Sequence, residues 1–298
     1  MAAIICLGIV VRDLVFEVPS LPPVPQKLTA TTFSRRGGGM AATAAIAAAA
    51  LGGESHYWGR LGDDLTGVEL RAEMEAHGVR VHASVVPGTQ TPISAVLVAA
   101  NGERTLAVFR GQLDDDAGWL PLGAVSSAQA VLADFRWPQG ARALYQAARA
   151  AGIPCVLDAD RGDADAVRTL LPLADHAIFS QSGLAELSGT DEVDAGLRHA
   201  AATAAGVVGV TLGEQGSAFL IDGALLRIPA PDIVARDTNG AGDVFHGVYT
   251  LALAQGEGVI AAGRIATVAA ALKCRNGSGW DAVPDRAAVD DFLKGCVW

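Results

Sequence analysis

The residues that could do chemistry are densest in one glycine-rich run, Asp237-Thr238-Asn239-Gly240-Ala241-Gly242-Asp243. It follows the apolar pair Ile233-Val234 and leads directly into a helical pattern over residues 244–253. Small side chains there let a backbone approach an anion closely, and the first N–H groups of a helix, lacking intrahelical partners, point at the same spot. Such a turn can stabilise charge that develops on a phosphoryl group in transfer. An acid at a helix start also complements the helix dipole, which is the plainer reading of Asp243. Yet a carboxylate set among anion-binding amides is odd for static phosphate binding. It makes sense as a base that takes the proton of a hydroxyl lying beside the transferring phosphoryl group.

Such a turn needs a frame. Apolar, β-branched runs at residues 3–10, 55–58, 130–133, 153–157, 177–179 and 207–212 read as strands. They alternate with helical patterns at residues 39–51, 65–77, 140–151, 193–205, 241–254 and 259–273. That order predicts an α/β fold whose mostly parallel sheet is flanked by helices on both faces, and continuous apolar strands suit a sheet covered twice. Two stretches break the rhythm. Residues 12–36 carry short alternating segments with Pro19, Pro22, Pro23 and Pro25. Residues 80–110 read as three strands, the last two joined by Asn101-Gly102, a strong hairpin signal. Both are expected to form a small β-sheet lid inserted in a single domain spanning residues 1–298.

Composition narrows the function. Of 298 residues, 51% are hydrophobic and 18% charged, enough for a large core. A net charge of −10 argues against nucleic acid as a partner, though local Arg, Lys or amide groups can still hold a small anion. Cys6, Cys155, Cys274 and Cys296 form no CxxC pair, and no His/Cys cluster has zinc spacing, so no protein-held metal site is expected. Residues 1–11 lack a basic leader and read as a first strand, and the alanine-rich stretch 40–51 is too short to span a membrane. A cytoplasmic, reduced protein is expected.

The run 237–247, DTNGAGDVFHG, resembles the C-terminal signature of the PfkB, ribokinase-like sugar kinases, and the resemblance extends over essentially the whole chain. Gly37-Gly38-Gly39 before an alanine-rich helix, and Gly59-Arg60-Leu61-Gly62-Asp63-Asp64-Leu65-Thr66-Gly67, look like the N-terminal signature. Val210-Thr211-Leu212-Gly213 followed by Gly216 looks like the nucleotide-site strand and turn. The resemblance implies a ribokinase-like fold, Asp243 as base, and Gly240, Ala241 and Gly242 as the anion hole. It places Thr211, Gly213 and Gly216 near ATP, with Mg2+ accompanying the nucleotide, and gives Asp13, Gly38 and Gly39 to the sugar. A carboxylate such as Asp13 can accept two hydroxyl hydrogen bonds, although a turn Asp at a strand end needs no ligand. Gly62 and Asp63 are read as a turn that caps the next helix.

Departures from the family narrow the resemblance. Thr43 stands where many relatives carry Asn, four residues after the second sugar-site glycine, and the usual NxxE motif appears as Ser180-Gln181-Ser182-Gly183. With Val131-Leu132-Ala133-Asp134-Phe135-Arg136-Trp137, Ala174-Asp175-His176 and Ala270-Ala271-Leu272-Lys273-Cys274, the chain looks like the 6-deoxy-6-sulfofructose kinases. That subgroup holds a sulfonate with a lid Lys, an Arg after the central strand and a lid Asn. Lys27 and Arg136 match the first two; Val108 occupies the Asn position, with Arg110 near enough to contribute charge. Read without the family, Lys27 is an edge-guarding residue of a lid strand, Arg136 a surface ion-pair partner and His246 a packing residue. The implied partner is a small-molecule sugar, sulfonated by the narrower resemblance and phosphorylated at O1, and the resemblance also implies a homodimer through the lid. The rivals are the same chemistry on another sugar or a nucleoside, a non-catalytic sugar-binding regulator, and a dinucleotide oxidoreductase, which lacks its GxGxxG turn.

Overall fold

The computed structural model describes residues 1–22, 24, 26–100 and 103–296. The chain opens with β1 (Ala3–Gly8), then β2 (Val11–Val18), β3 (Thr32–Gly38), α1 (Met40–Ala50), β4 (Glu54–Gly62), α2 (Leu65–Ala76) and β5 (Arg80–Val86). It continues through β6 (Ile93–Ala99), β7 (Arg104–Phe109), β8 (Ala130–Asp134), α3 (Pro138–Ala150), β9 (Cys155–Ala159) and α4 (Ala164–Leu170). The last part runs β10 (His176–Ser180), α5 (Gln181–Ser188), α6 (Val193–Ala201), β11 (Val207–Thr211), β12 (Ser217–Ile221), β13 (Ala224–Ile228), α7 (Ala241–Ala254), α8 (Val259–Asn276) and α9 (Arg286–Lys294).

The large sheet has the order β13-β12-β11-β10-β9-β8-β1-β4-β5, parallel from β11 to β5 and antiparallel at β12 and β13. Side-chain alternation explains why its strands read as unbroken apolar runs. Ile4 and Cys6 of β1 join the core under α1, α7 and α8, whereas Ile5 and Leu7 join the opposite core under α3 to α6. Helix α1, apolar but for Thr43, is buried on all sides from Met40 to Ala48, as a helix that is apolar all round must be. Its alanines suit a close crossing of α7: a Cβ at Gly247 would lie 2.1 Å from the Ala44 carbonyl oxygen.

The smaller sheet has the order β3-β2-β6-β7; β2 and β6 run parallel and the other pairs antiparallel. Two expectations are corrected here. Residues 80–86 do not belong to the lid: β5 pairs in parallel with β4 at the edge of the large sheet, the second strand of a β4–α2–β5 crossover. Lys27 is not on a lid strand but exposed in the connection between β2 and β3. The Asn101-Gly102 turn, like Pro23 and Pro25, lies outside the described residues. At the start of α2 the cap is Asp64, whose carboxylate accepts the Gly67 amide at 2.9 Å, rather than Gly62 or Asp63. Among the described residues no helix is long and apolar enough to cross a membrane. Cys6, Cys155 and Cys274 are buried, Cys296 is half-buried, and all four are unpaired.

Candidate active site

The parallel strands β8, β9, β10 and β11 deliver their C-terminal ends to one cleft of about 1410 Å3, which the small sheet roofs and α7 enters from below. Ligand sites of open α/β sheets lie at this edge. The cleft is lined by Asp13, Gly38, Gly39, Thr43, Arg110, Arg136, Thr211, Gly213, Gly216, Gly240, Ala241, Gly242 and Asp243, so it gathers every residue singled out from the sequence except Lys27. The expected clamp of Lys27 with Arg136 is therefore corrected: the β2–β3 connection carries Lys27 out to solvent.

Asp243 stands in the first turn of α7, and Gly240 caps that helix with φ 75, a left-handed conformation that glycine adopts at no steric cost. The Ala241 amide turns back to the Thr238 carbonyl at 3.3 Å. Helix geometry thus leaves the amides of Gly242 and Asp243 as the outward donors. Burial pushes the Asp243 carboxyl up to about 8; repulsion from Asp158 adds to this and His246 partly offsets it.

Asp158 was not singled out from the sequence. Strand parity places it: Val156 of β9 faces the α7 side, so Asp158, two residues on, points at the start of α7. It is 1% exposed, its Oδ2 has no hydrogen bond, and His246 Nδ1 lies 3.3 Å away. His246 is buried, as a packing residue would be, but both ring nitrogens face carbonyl oxygens, those of Gly242 (2.7 Å) and Ile178 (3.0 Å). Burial lowers its pKa, while these acceptors and Asp243 act in the opposite direction. Burial, reinforced by Asp160 and Asp134, raises the Asp158 carboxyl well above the ordinary range.

Asp13 sits on β2 opposite Arg36 of β3, and Ser94 of β6 donates to its Oδ1. Burial raises its pKa, against hydrogen bonds from Ser94 and Asn239. A Cβ at Gly38 would lie 2.7 Å from Asp13 Oδ2, so the glycine keeps the carboxylate open to the cleft. The Thr43 hydroxyl accepts the Trp280 indole N–H at 3.0 Å, which leaves its own proton for another acceptor. Trp280 also lies beneath Gly37, where a Cβ would meet its ring at 2.4 Å. The sequence offered no pointer to Trp280, 237 positions from Thr43.

Arg136 follows β8. Its backbone N–H donates to Asp134 at 2.8 Å, its Nη2 donates to the Arg161 carbonyl at 3.1 Å, and its Nη1 is buried without a hydrogen-bond partner. Burial, then repulsion from Arg110, lowers its pKa. Arg136 and Arg110 also line a side chamber of about 140 Å3 with Arg60, a third arginine that the sequence reading left without a role. Arg60 is held by Asp114 and Asp115 and lies over the Trp137 ring at 4.3 Å.

Thr211 ends β11, and Gly213 and Gly216 bound the turn into β12. Beside them Ser180 caps α5 by accepting the Gly183 amide at 2.9 Å, which gives the Ser180-Gln181-Ser182-Gly183 departure a structural role. No group of three or more His, Cys, Asp or Glu poised for a metal exists among the described residues. Asp158, Asp160 and Ser180 line the cleft between this turn and Asp243. These donors fit a Mg2+ that arrives on the phosphates of a nucleotide and keeps much of its water, rather than a dedicated cage.

A sequence profile described as pfkB family carbohydrate kinase matches residues 1–286. Ribokinase from Bacillus subtilis (strain 168) is 28% identical over 299 residues, covering 99% of this chain and all of that protein. A solved structure of a candidate ribokinase from Agrobacterium tumefaciens superimposes with a TM-score of 0.93 at 30% identity, covering 98% of this chain and 97% of that one. The Arabidopsis thaliana ribokinase, solved with ribose and ATP, superimposes with a TM-score of 0.89 at 25% identity, covering 99% and 100%.

Proposed function

We propose that this chain, which belongs to the pfkB family of carbohydrate kinases and is an ATP-dependent carbohydrate kinase with a ribokinase-like fold, moves the ATP γ-phosphoryl group to O1 of 6-deoxy-6-sulfofructose. The observation that carries the chemistry is the single cleft in which Asp243, the 240–242 turn, the 211–216 turn and Asp13 all meet. Asp243 accepts the proton of the attacking hydroxyl. The amides at the start of α7 receive the charge that develops on the phosphoryl oxygens. Asp13, with Gly38 and Gly39, orients the sugar hydroxyls, and Thr43 donates to another. The roof of β2, β3, β6 and β7 excludes water that would compete with the sugar. Mg2+, when bound, would neutralise phosphate charge, and Asp158 and Asp160 are the cleft carboxylates that would help to hold it. Exposed Phe33 and Phe109, on the face of the small sheet turned away from the cleft, support a homodimer through this roof.

Support for an anionic sugar comes from Arg136 and Arg110, which face both the main cleft and the side chamber. The exposed Lys27 favours a second reading, a kinase of a neutral sugar or nucleoside. A panel of sulfofructose, fructose 6-phosphate, fructose and ribose, assayed with ATP and magnesium, tests both. The highest kcat/KM on sulfofructose is expected. Sugar binding with no ATP consumption on any substrate would mean a non-catalytic regulator instead.

The nucleotide turn makes a prediction of its own. Gly213 has φ 59 and open space around it. A β-branched residue is strained there, so Gly213→Val is expected to raise the KM for ATP by about fivefold or more. The KM for the sugar is expected to move much less. Equal effects on both substrates in steady-state kinetics would place this turn outside the nucleotide site.

A further inference from the structure

Lys273 lies in α8 within an otherwise apolar stretch, Ala269-Ala270-Ala271-Leu272, and is only 2% exposed. A buried ammonium is costly unless it is well coordinated. Its Nζ donates to the carbonyl oxygens of Asp237, at 3.2 Å, and of Asn239. Those carbonyls belong to the three residues that run straight into Gly240 and α7. The entry of the same loop is pinned to α8 as well, because the Arg236 and Asp237 amides donate to the Cys274 carbonyl at 2.8 and 3.2 Å. The Asp237 carboxylate is shared with the roof: Arg36 of β3 lies 3.4 Å from it and Arg104 of β7 3.6 Å. Two carbonyl dipoles that converge on one point repel each other unless a cation sits between them.

We propose that Lys273 is a positioning residue, a built-in cation that clasps the carbonyls of Asp237 and Asn239 and so fixes the 240–242 turn facing the transferred group. The inference rests on the reading of that turn as the phosphoryl site. It adds a claim that the reading does not contain: the turn is ordered by an internal positive charge. A purely structural lysine would contribute stability alone. A positioning lysine affects kcat more than sugar binding, because Asp13 and Gly38 bind the sugar from a different element. Lys273 lines the cleft, so a small soluble cation can enter the space its head group leaves.

Lys273→Met keeps the stem and removes the charge. Its kcat is expected to fall roughly 10- to 50-fold, the scale of a charge-assisted hydrogen bond, with the sugar KM within about threefold of the parent. Ammonium or methylammonium chloride should restore much of the loss in a saturable way, whereas sodium chloride at equal ionic strength should not, and the parent should respond to neither. Hydrogen exchange in the ligand-free protein supplies a readout independent of catalysis: amides of residues 238–242 should exchange faster in the variant and be protected again by ammonium. If Lys273→Met does not fold, Lys273→Gln carries the same measurements, since it keeps N–H donors without charge. A parent-like kcat in either variant overturns the proposal. So does a loss that no small cation reverses, accompanied by faster exchange throughout the chain. If the parent phosphorylates no sugar, the kinase reading fails, and the exchange measurement still decides the role of Lys273.

Discussion

Replacing Asp243 with Asn is expected to lower kcat by roughly 10²-fold or more, the scale of general-base catalysis, with ATP affinity largely retained. The substitution is nearly isosteric, keeps a hydrogen-bonding group at the start of α7, and removes only the capacity to take a proton. In the proposed mechanism ATP is held by the 211–216 turn and the helix amides, neither of which needs the carboxylate. Single-turnover phosphorylation with saturating ATP, alongside a nucleotide-binding titration, separates the two effects. Turnover within a few-fold of the parent would remove Asp243 from the chemical step.

The pH behaviour follows from the same residue. Burial raises the Asp243 carboxyl to about 8, so the protonated, inactive form persists into the neutral range. The kcat/KM profile is expected to climb with pH across that range rather than level off near the ordinary carboxylate value. Asp158→Asn removes the largest repulsive partner and should move this limb toward acid, but only part of the way, because burial is the larger cause. The sign for stability is opposite. A group whose folded pKa exceeds its unfolded pKa favours the fold below the unfolded value and loses that contribution as pH rises through the folded one. The melting temperature of Asp243→Asn should therefore overtake that of the parent between about pH 4 and pH 8. A parent whose relative melting temperature does not fall over this interval would contradict the elevated carboxyl.

Much of this site was legible because its backbone signals are local. The glycine-rich entry to α7 combines small residues, a helix start and an acid within seven positions, and the structure keeps them together. Strands β1, β8, β9, β10 and β11 announced themselves by apolar runs whose two faces are both covered. Signals that depend on tertiary pairing were harder to read. Strand β5 looked like a lid strand because it precedes β6 and β7, yet α2 before it makes it the end of a crossover onto β4. Lys27 stands in a proline-containing stretch with no strand periodicity to fix its direction, and the chain turns it to solvent. Asp158, Trp280 and Lys273 reach the cleft from strands, turns and helices distant in sequence. Parity along β9 could have found Asp158, and a lysine amid four apolar residues could have flagged Lys273; Trp280 had no such marker.

The largest effect expected on substrate choice belongs to Arg136. Its position after β8 puts a guanidinium at the strand edge where ligands sit, and its backbone amide is anchored on Asp134. One terminal nitrogen already donates to Arg161, and the other is buried with no hydrogen bond. A buried N–H group without a partner is costly, and an anionic oxygen from a substrate would satisfy it. Arg36, Arg104 and Lys273 also line the cleft but are engaged by Asp237 and its loop, so with Lys27 in solvent the cleft cations left for a substrate are Arg136 and Arg110, which suits a sulfonate monoanion better than a phosphate dianion. Arg136→Ala is expected to reduce kcat/KM for sulfofructose roughly 10- to 150-fold, the cost of one charge-assisted contact, and to spare fructose. Arg136→Lys should recover only part of the loss, because an ammonium lacks the paired donors of a guanidinium. Lys27→Ala should change it less than about twofold, as for an exposed charge outside the site. These ratios are read from parallel kcat/KM measurements on sulfofructose, fructose 6-phosphate and fructose. A parent that prefers fructose 6-phosphate or a neutral sugar, or an Arg136→Ala variant equally impaired on all three, would leave the carbohydrate kinase standing and remove the sulfosugar as its substrate.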